Sequence, residues 1–313
     1  MKHNLKVTAI ILVMFILTQF VGLYVVNHYS DDANQLPEWI DPPEVEENSD
    51  YYGFLSAIIL AFIIAISLFF LLTKFKIEFV LRAWFFLVVA MALYISFLSI
   101  FSPLVKYAIL ISVIVSFALS IVKIYGRNFF IHNFTEILIY PGIAAIFVPI
   151  LNVYTIIVLL IIISVYDIWA VWHSGIMQKM AKYQIDKLKI FSGFFVPYFS
   201  KSVKLKIKKW KKTLSKKQMA KKKFKVNVAI LGGGDVVFPI LASGVVLNTT
   251  TLSLPFGMKE FIGGFFPAVF VIIGATLGLV YLFFFSEKKK FYPAMPFITA
   301  GILLGLFISY LVF

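Results

Sequence analysis

The strongest constraint on this sequence is a succession of apolar runs, each about as long as the ~20 residues that carry a helix across a bilayer. The first, 7–26, follows Lys2, His3 and Lys6, and the second covers 52–72. A third ends near Phe101, where Ser102-Pro103 breaks it, because proline lacks an N–H and disfavours helix for its predecessor. A fourth ends near Ile121, ahead of Lys123 and Arg127. The stretch 134–171 is too long for one crossing and divides at 149–152 into a fifth and a sixth run, with Pro141-Gly142 expected to kink the fifth. Runs at 226–247, 261–285 and from Pro293 to Phe313 complete the series. Hydrophobic residues make up 61% of the chain, against ~45–50% in globular domains, too many for a water-facing surface. The expected fold is all-α: a polytopic membrane protein with nine transmembrane helices.

The net charge of +14 suggests nucleic acid until it is located along the chain. Residues 174–225 carry seventeen lysines against Asp186 alone, whereas 27–51 carry eight acids and no lysine or arginine. With the N-terminus inside, 27 of the 29 basic residues fall on inside segments; Lys106 and Lys259 are the exceptions. Such sorting orients membrane helices. It predicts a multi-pass protein of the cell membrane, N-terminus cytoplasmic and C-terminus outside. The first run exceeds a signal-peptide core of ~7–15 residues and reads as an uncleaved anchor. The chain divides into 1–173, a lysine-rich cytoplasmic loop 174–225, and 226–313, all in one membrane domain. Lysines beside a span attract anionic lipid headgroups at about 1 kcal/mol each, so lipid rather than nucleic acid is the expected partner of the loop. Within it, Ile190-Phe191-Ser192-Gly193-Phe194-Phe195-Val196 is expected to dip into the interface.

Several chemistries are excluded or left without candidates. The chain has no cysteine, so disulfides, thiolate metal sites and cysteine nucleophiles are ruled out. His3, His28, His132 and His173 lie outside the hydrophobic runs, and no His-Glu-x-x-His occurs. No serine and histidine share a membrane depth. Neither a metal nor an organic cofactor is expected. Glu136, early in the fifth run, reads as a surface group snorkelling to the inner face.

Two acids remain deep in apolar runs: Asp167, in Ser164-Val165-Tyr166-Asp167-Ile168, and Asp235, in Gly232-Gly233-Gly234-Asp235-Val236. A charge at such depth costs at least about 2.5–3.5 kcal/mol and marks function. At ~1.5 Å per residue the two lie about 9 and 14 Å from the inner face, so neighbouring antiparallel helices would bring them level. Two carboxylates in one buried site share a proton, which suits one to activate water and the other to hydrogen-bond a carbonyl, as in an aspartic protease. The glycines would let another backbone approach, and Pro239 removes a further helical bond. From the residues alone, such a pair more often marks an ion or proton pathway than a protease, and glycine-rich helices are also packing devices.

These motifs, in this order, resemble the presenilin and signal peptide peptidase family of GxGD intramembrane aspartyl proteases. Tyr166-Asp167 matches the family's YD motif, Gly232-Gly233-Gly234-Asp235 its GxGD motif, and Pro293-Ala294-Met295 stands where the family has PAL. The resemblance covers all nine runs and is similar to the compact prokaryotic, archaeal members. It implies Asp167 and Asp235 as catalytic pair, and Tyr166, Gly232, Gly233, Gly234, Pro293, Ala294 and Met295 as residues shaping the site. It also implies transmembrane helices or signal peptides as substrates, with homo-oligomers an open option. Met295 departs from the family's leucine, and Gly233 stands where many members carry a larger residue. Val236-Val237-Phe238-Pro239 is closer to the signal peptide peptidase branch, whereas the inside N-terminus resembles presenilin. Pro293-Ala294-Met295-Pro296 reads in two ways: backbone held open beside the site, or a proline pair that only sets where the last helix starts. The competing functional classes are a proton- or cation-coupled transporter using the two acids, and a family member that binds membrane proteins without cleaving them.

Overall fold

The computed structural model describes residues 5–31, 34–75, 78–126, 128–173, 192–198, 203, 227–252, 260–286 and 292–313. Most of the lysine-rich loop, and with it the expected lipid contact, lies outside the described residues. Six helices match the first six runs: α1 (Leu5–Tyr29), α2 (Asp50–Lys74), α3 (Glu78–Phe101), α4 (Ala108–Tyr125), α5 (Phe129–Phe147) and α6 (Val153–Ile168). Three more follow: α7 (Gly234–Asn248), α8 (Phe265–Phe285) and α9 (Met295–Val312). Among the described residues, eight helices are long and apolar enough to cross a membrane, and α7 is a shorter ninth.

The boundaries have local causes. Ser102-Pro103 ends α3 as expected. At the 149–152 turn, Asn152 opens α6 through a capping box, accepting from the Thr155 N–H at 2.8 Å while Thr155 Oγ1 accepts from the Asn152 N–H at 2.9 Å. Asn128 caps α5 with its side chain alone, accepting from Phe130 N–H at 2.9 Å. Helix α5 contains Pro141 without ending there. Gly142 has a packing role: a Cβ at this position would run into the Ala92 main chain, so it marks the closest approach of α3.

Similar hydropathy conceals opposite environments. Only 6% of the apolar window of α2 is buried, against 67% for α5. Helix α2 therefore presents nearly its whole surface to lipid, while α5 is central, packed against α1, α3 and α7. Lipid tails give no hydrophobic drive between helices, so close van der Waals fit must hold the bundle. Helices α8 and α9 show it. Gly274 and Gly301 face each other so closely that a Cβ on either would meet the other's carbonyl, and Gly278 and Gly305 sit as tightly against Phe297 and Phe270 main chain. Because α1 and α5 pack on α7, and α6 on α9, the halves flanking the lysine-rich loop interleave in one body.

The seventh run departs from expectation. Its inner part is strand β2 (Asn227–Gly232), antiparallel to β1 (Gly193–Tyr198), with Gly193 opposite Gly232 and Tyr198 opposite Asn227. Part of the stretch expected to dip into the interface is thus a strand, with Phe194 fully buried. The cause is local. Val228 and Ile230 favour extended chain, and three consecutive glycines, each about 1 kcal/mol worse than alanine in helix, end any helix approaching from the loop. The eighth helix also starts later than expected, because Phe261–Ile262 (β4) pairs with Thr251–Leu252 (β3) and Gly264 takes a φ of 120° that suits glycine.

Candidate active site

Asp167 lies one residue before the end of α6, where the chain widens into a π turn over Trp169–His173. It is 5% exposed. Ser164, three residues earlier, donates to Leu160 C=O at 2.7 Å and meets Thr299 Oγ1 at 2.8 Å, tying α6 to α9. At the start of α9, Met295 N–H donates to Asp167 Oδ2 at 3.0 Å, and Ala294 N–H makes a second main-chain bond to the carboxylate. The first amides of a helix have no partners inside it and carry the positive end of its dipole. Here Asp167 supplies the acceptor. Pro296, at the second helical position, removes only an N–H that would be orphaned anyway.

Asp235 enters from the other side, in the first turn of α7, and is 9% exposed. Its carboxylate accepts from its own chain, at the Gly232 N–H, and lies close enough to Asp167 for the two to interact electrostatically. The three glycines are not equivalent. A Cβ on Gly232 would come within 3.2 Å of Asp235 Oδ2. One on Gly233 would collide with Ser192 Oγ at 2.7 Å and Tyr140 Oη at 2.8 Å. One on Gly234 would make ordinary contact with the Phe238 ring at 3.6 Å. What crowds this turn is therefore side chains and its own carboxylate, not the second backbone expected from the sequence. Pro239 lies inside α7 without ending it.

Of the residues singled out in the sequence, Asp167, Asp235, Gly232, Ala294 and Met295 come together through these bonds. Pro293 directly precedes the two amides that hold Asp167. Tyr166 faces outward instead: its ring stacks edge-on against Phe62 of α2 at 5.5 Å and lies 6.3 Å from Trp169, so it joins the lipid-facing α2 to α6.

Two features escaped the sequence reading. Gln19 of α1 is fully buried and donates from Nε2 to Val236 C=O at 3.1 Å, one residue past Asp235. Glu136 is not a surface group. It is 1% exposed, paired with the buried Lys123 ammonium and with His132 at 3.7 Å, and it accepts from the Tyr140 hydroxyl. The signal lay in spacing: Asn133, Glu136 and Tyr140 recur at i, i+3, i+7, a polar stripe along one face of a buried helix.

With this geometry in hand, the comparisons with known proteins are direct. The profile of the family described as signal-peptide peptidase, presenilin aspartyl protease matches residues 9–313. The chain therefore belongs to that family of intramembrane aspartyl proteases: it is an integral multi-pass membrane protein and an aspartic endopeptidase. Two crystal forms of a presenilin family intramembrane aspartate protease share the fold. In the first, in space group C222, the TM-score is 0.60 at 15% identity, covering 98% of this chain and 99% of that one. In the second, in P2, it is 0.57 at 16%, covering 97% of each. Among curated proteins, no relative matches.

Proposed function

We propose that Asp167 and Asp235 are the catalytic pair, hydrolysing peptide bonds within transmembrane segments of membrane proteins or signal peptides. The observation that carries this reading is the meeting of two buried carboxylates from separate helices, each held by main-chain N–H, with no cation paired to either among the described residues. A cation at either acid would neutralise it; main-chain donors fix the carboxylates in place and leave them to share a proton. One then takes a proton from water as that water attacks the scissile carbonyl. The other, carrying the shared proton, hydrogen-bonds the carbonyl oxygen, and the tetrahedral intermediate collapses as the amine leaves with a proton.

A helix has to open before its peptide bonds can be reached, and its freed N–H and C=O groups then need partners. The hairpin offers them. Gly193 and Phe195 turn their main-chain groups away from β2, toward α5. By antiparallel alternation their partners Gly232 and Ile230 turn theirs away from β1. Gly232 N–H is taken by Asp235; Ile230 N–H and C=O have no partner among the described residues. Within a membrane such an edge is tolerated where it lines a cavity. An opened substrate added at this edge would run directly toward Asp235, held by main-chain bonds that do not depend on sequence.

The lysine-rich loop is proposed to hold anionic headgroups at the cytoplasmic face of the cell membrane, with the C-terminus outside. The decisive experiment mixes the purified chain with a single-span helical substrate in detergent. Cleavage that disappears in both Asp167→Asn and Asp235→Asn supports the pair; proton-coupled solute uptake in liposomes without proteolysis would replace it with a transporter. The rate should be bell-shaped in pH, since one carboxyl must be ionised and one protonated.

A further inference from the structure

The outer edge of β1 is closed by side chains of α5. Asn133, 7% exposed, donates from Nδ2 to Phe195 C=O at 2.9 Å and accepts from Phe195 N–H at Oδ1, also at 2.9 Å. One amide side chain thus occupies both main-chain groups of a residue, as a neighbouring strand would. His132 Nε2 pairs with Gly193 C=O at 2.8 Å, covering the next outward position two residues away. One and two turns along the same face of α5, Glu136 and Tyr140 continue the contact. The Tyr140 ring packs edge-on against Phe194 at 6.1 Å. Its hydroxyl, anchored on Glu136, also accepts from Ser192 and abuts Gly233, where any Cβ would collide with it. Lys123 from α4 fixes Glu136 in turn.

We propose that Asn133 and Tyr140 are positioning residues: from α5 they hold β1, and through it β2 and the Gly232–Asp235 turn, in the one register that brings a chosen substrate bond to the two aspartates. This rests on the protease reading and adds what sets the cleavage position. The geometry makes the case in two ways. First, among the described residues β1 packs against β2, α5 and α1, and it is α5 whose side chains hydrogen-bond the main chain of its outer edge, so losing those bonds would let the hairpin slide or tilt. A strand shifted by one residue turns every main-chain group on its edge to the other side. Second, Asn133 blocks the opposite edge of the hairpin at Phe195, as His132 does at Gly193, so that edge does not offer its main-chain groups to an incoming strand. Substrate then meets the hairpin at β2 alone. Neither residue touches the reacting atoms, so both act through the strand.

The test combines two measurements on the full-length protein in detergent. Amide hydrogen exchange is followed for peptides covering 193–198 and 227–232 in Asn133→Ala and Tyr140→Phe. A clamp predicts at least a tenfold loss of protection in Asn133→Ala, confined to these strands, with α8 and α9 unchanged as evidence of intact folding. Mass spectrometry of products from one single-span substrate is the second measurement. In both variants the dominant cleavage site should give way to a spread of neighbouring sites, at rates within about tenfold of the parent, and Asn133→Gln, which keeps donor and acceptor on a longer arm, should restore part of the original pattern. A residue that is merely structural would lower yield and rate together and leave the sites where they were. Unchanged strand protection, or an unchanged product pattern with slower turnover, overturns the proposal while leaving the aspartate pair standing. A parent chain that cleaves nothing overturns the protease reading instead, and the exchange data still decide whether α5 holds the hairpin.

Discussion

The two aspartates arrive at the same place by opposite means. Asp167 stands on a helix that continues past it, and its partners are borrowed: the first amides of α9, 127 and 128 residues away in sequence. Asp235 stands at a break, where strand turns into helix, and its partner is the main chain three residues back. One half of the site depends on how two helices pack, the other on how one tight turn is built. Substitutions should therefore damage the two halves differently, and the contrast can be broken or sharpened by experiment.

The largest effect removes the distinction altogether. Asp167→Asn and Asp235→Asn preserve shape and deny the pair its titrating proton, so each should lower kcat by at least about 10³-fold, and the double variant should be little worse than either single one. Clear residual turnover in one of them, measured with the same substrate, would show that the two carboxylates do not act as a unit.

Next comes the turn. Gly233→Ala forces a methyl against Ser192 Oγ and Tyr140 Oη, and overpacking of this kind costs about 1–3 kcal/mol, or roughly ten- to a hundredfold in rate if it is felt at Asp235. Gly234→Ala meets only the Phe238 ring at van der Waals distance and gains helix propensity, so it should be close to neutral. Equal effects at 233 and 234 would mean that the glycines serve flexibility rather than clearance.

How much of this was legible in the sequence follows the same division. Hydropathy placed eight helices within a few residues, because a ~20-residue apolar run flanked by charge has few alternatives in a bilayer. The aspartates were legible because acids at that depth are costly. Strand β2 was not: 226–247 is as apolar as a span, and what diverts its inner part is β1, a partner drawn from a loop dominated by lysine. Glu136 was misread for a related reason. Near a predicted helix end, an acid snorkels or is buried according to whether a neighbour offers a cation, and Lys123 lies on another helix. Hydropathy was equally silent on α2 against α5, since lipid and a protein interior look alike to an apolar side chain.

A smaller effect is expected from α1. Gln19→Leu removes the bond to Val236 C=O, worth about 1 kcal/mol, but also removes a buried amide oxygen that has no hydrogen-bond partner among the described residues. Unfolding in detergent should hardly change, whereas turnover should fall about fivefold, because the turn bearing Asp235 loses its outside brace. A drop in stability with normal turnover would assign Gln19 to packing alone.

The smallest effect is expected where the family resemblance is least complete. Met295 is 3% exposed, and its side chain fills space beside the site, yet what reaches Asp167 is its main-chain N–H. Met295→Leu restores the family's residue and conserves volume, a kind of swap that usually costs less than about 1.5 kcal/mol. It leaves both α9 amides in place. Turnover should therefore stay within about threefold of the parent, and so should the affinity of a transition-state-mimicking inhibitor. Pro293→Leu differs: it frees the backbone just ahead of Ala294 and Met295, so the amides holding Asp167 are no longer directed by a fixed φ. It should weaken inhibitor binding and turnover together while the protein remains folded and inserted. If Met295→Leu proves the more damaging of the two, the side chain rather than the start of α9 shapes this half of the site. Asp167 would then depend on packing in the way Asp235 depends on its turn.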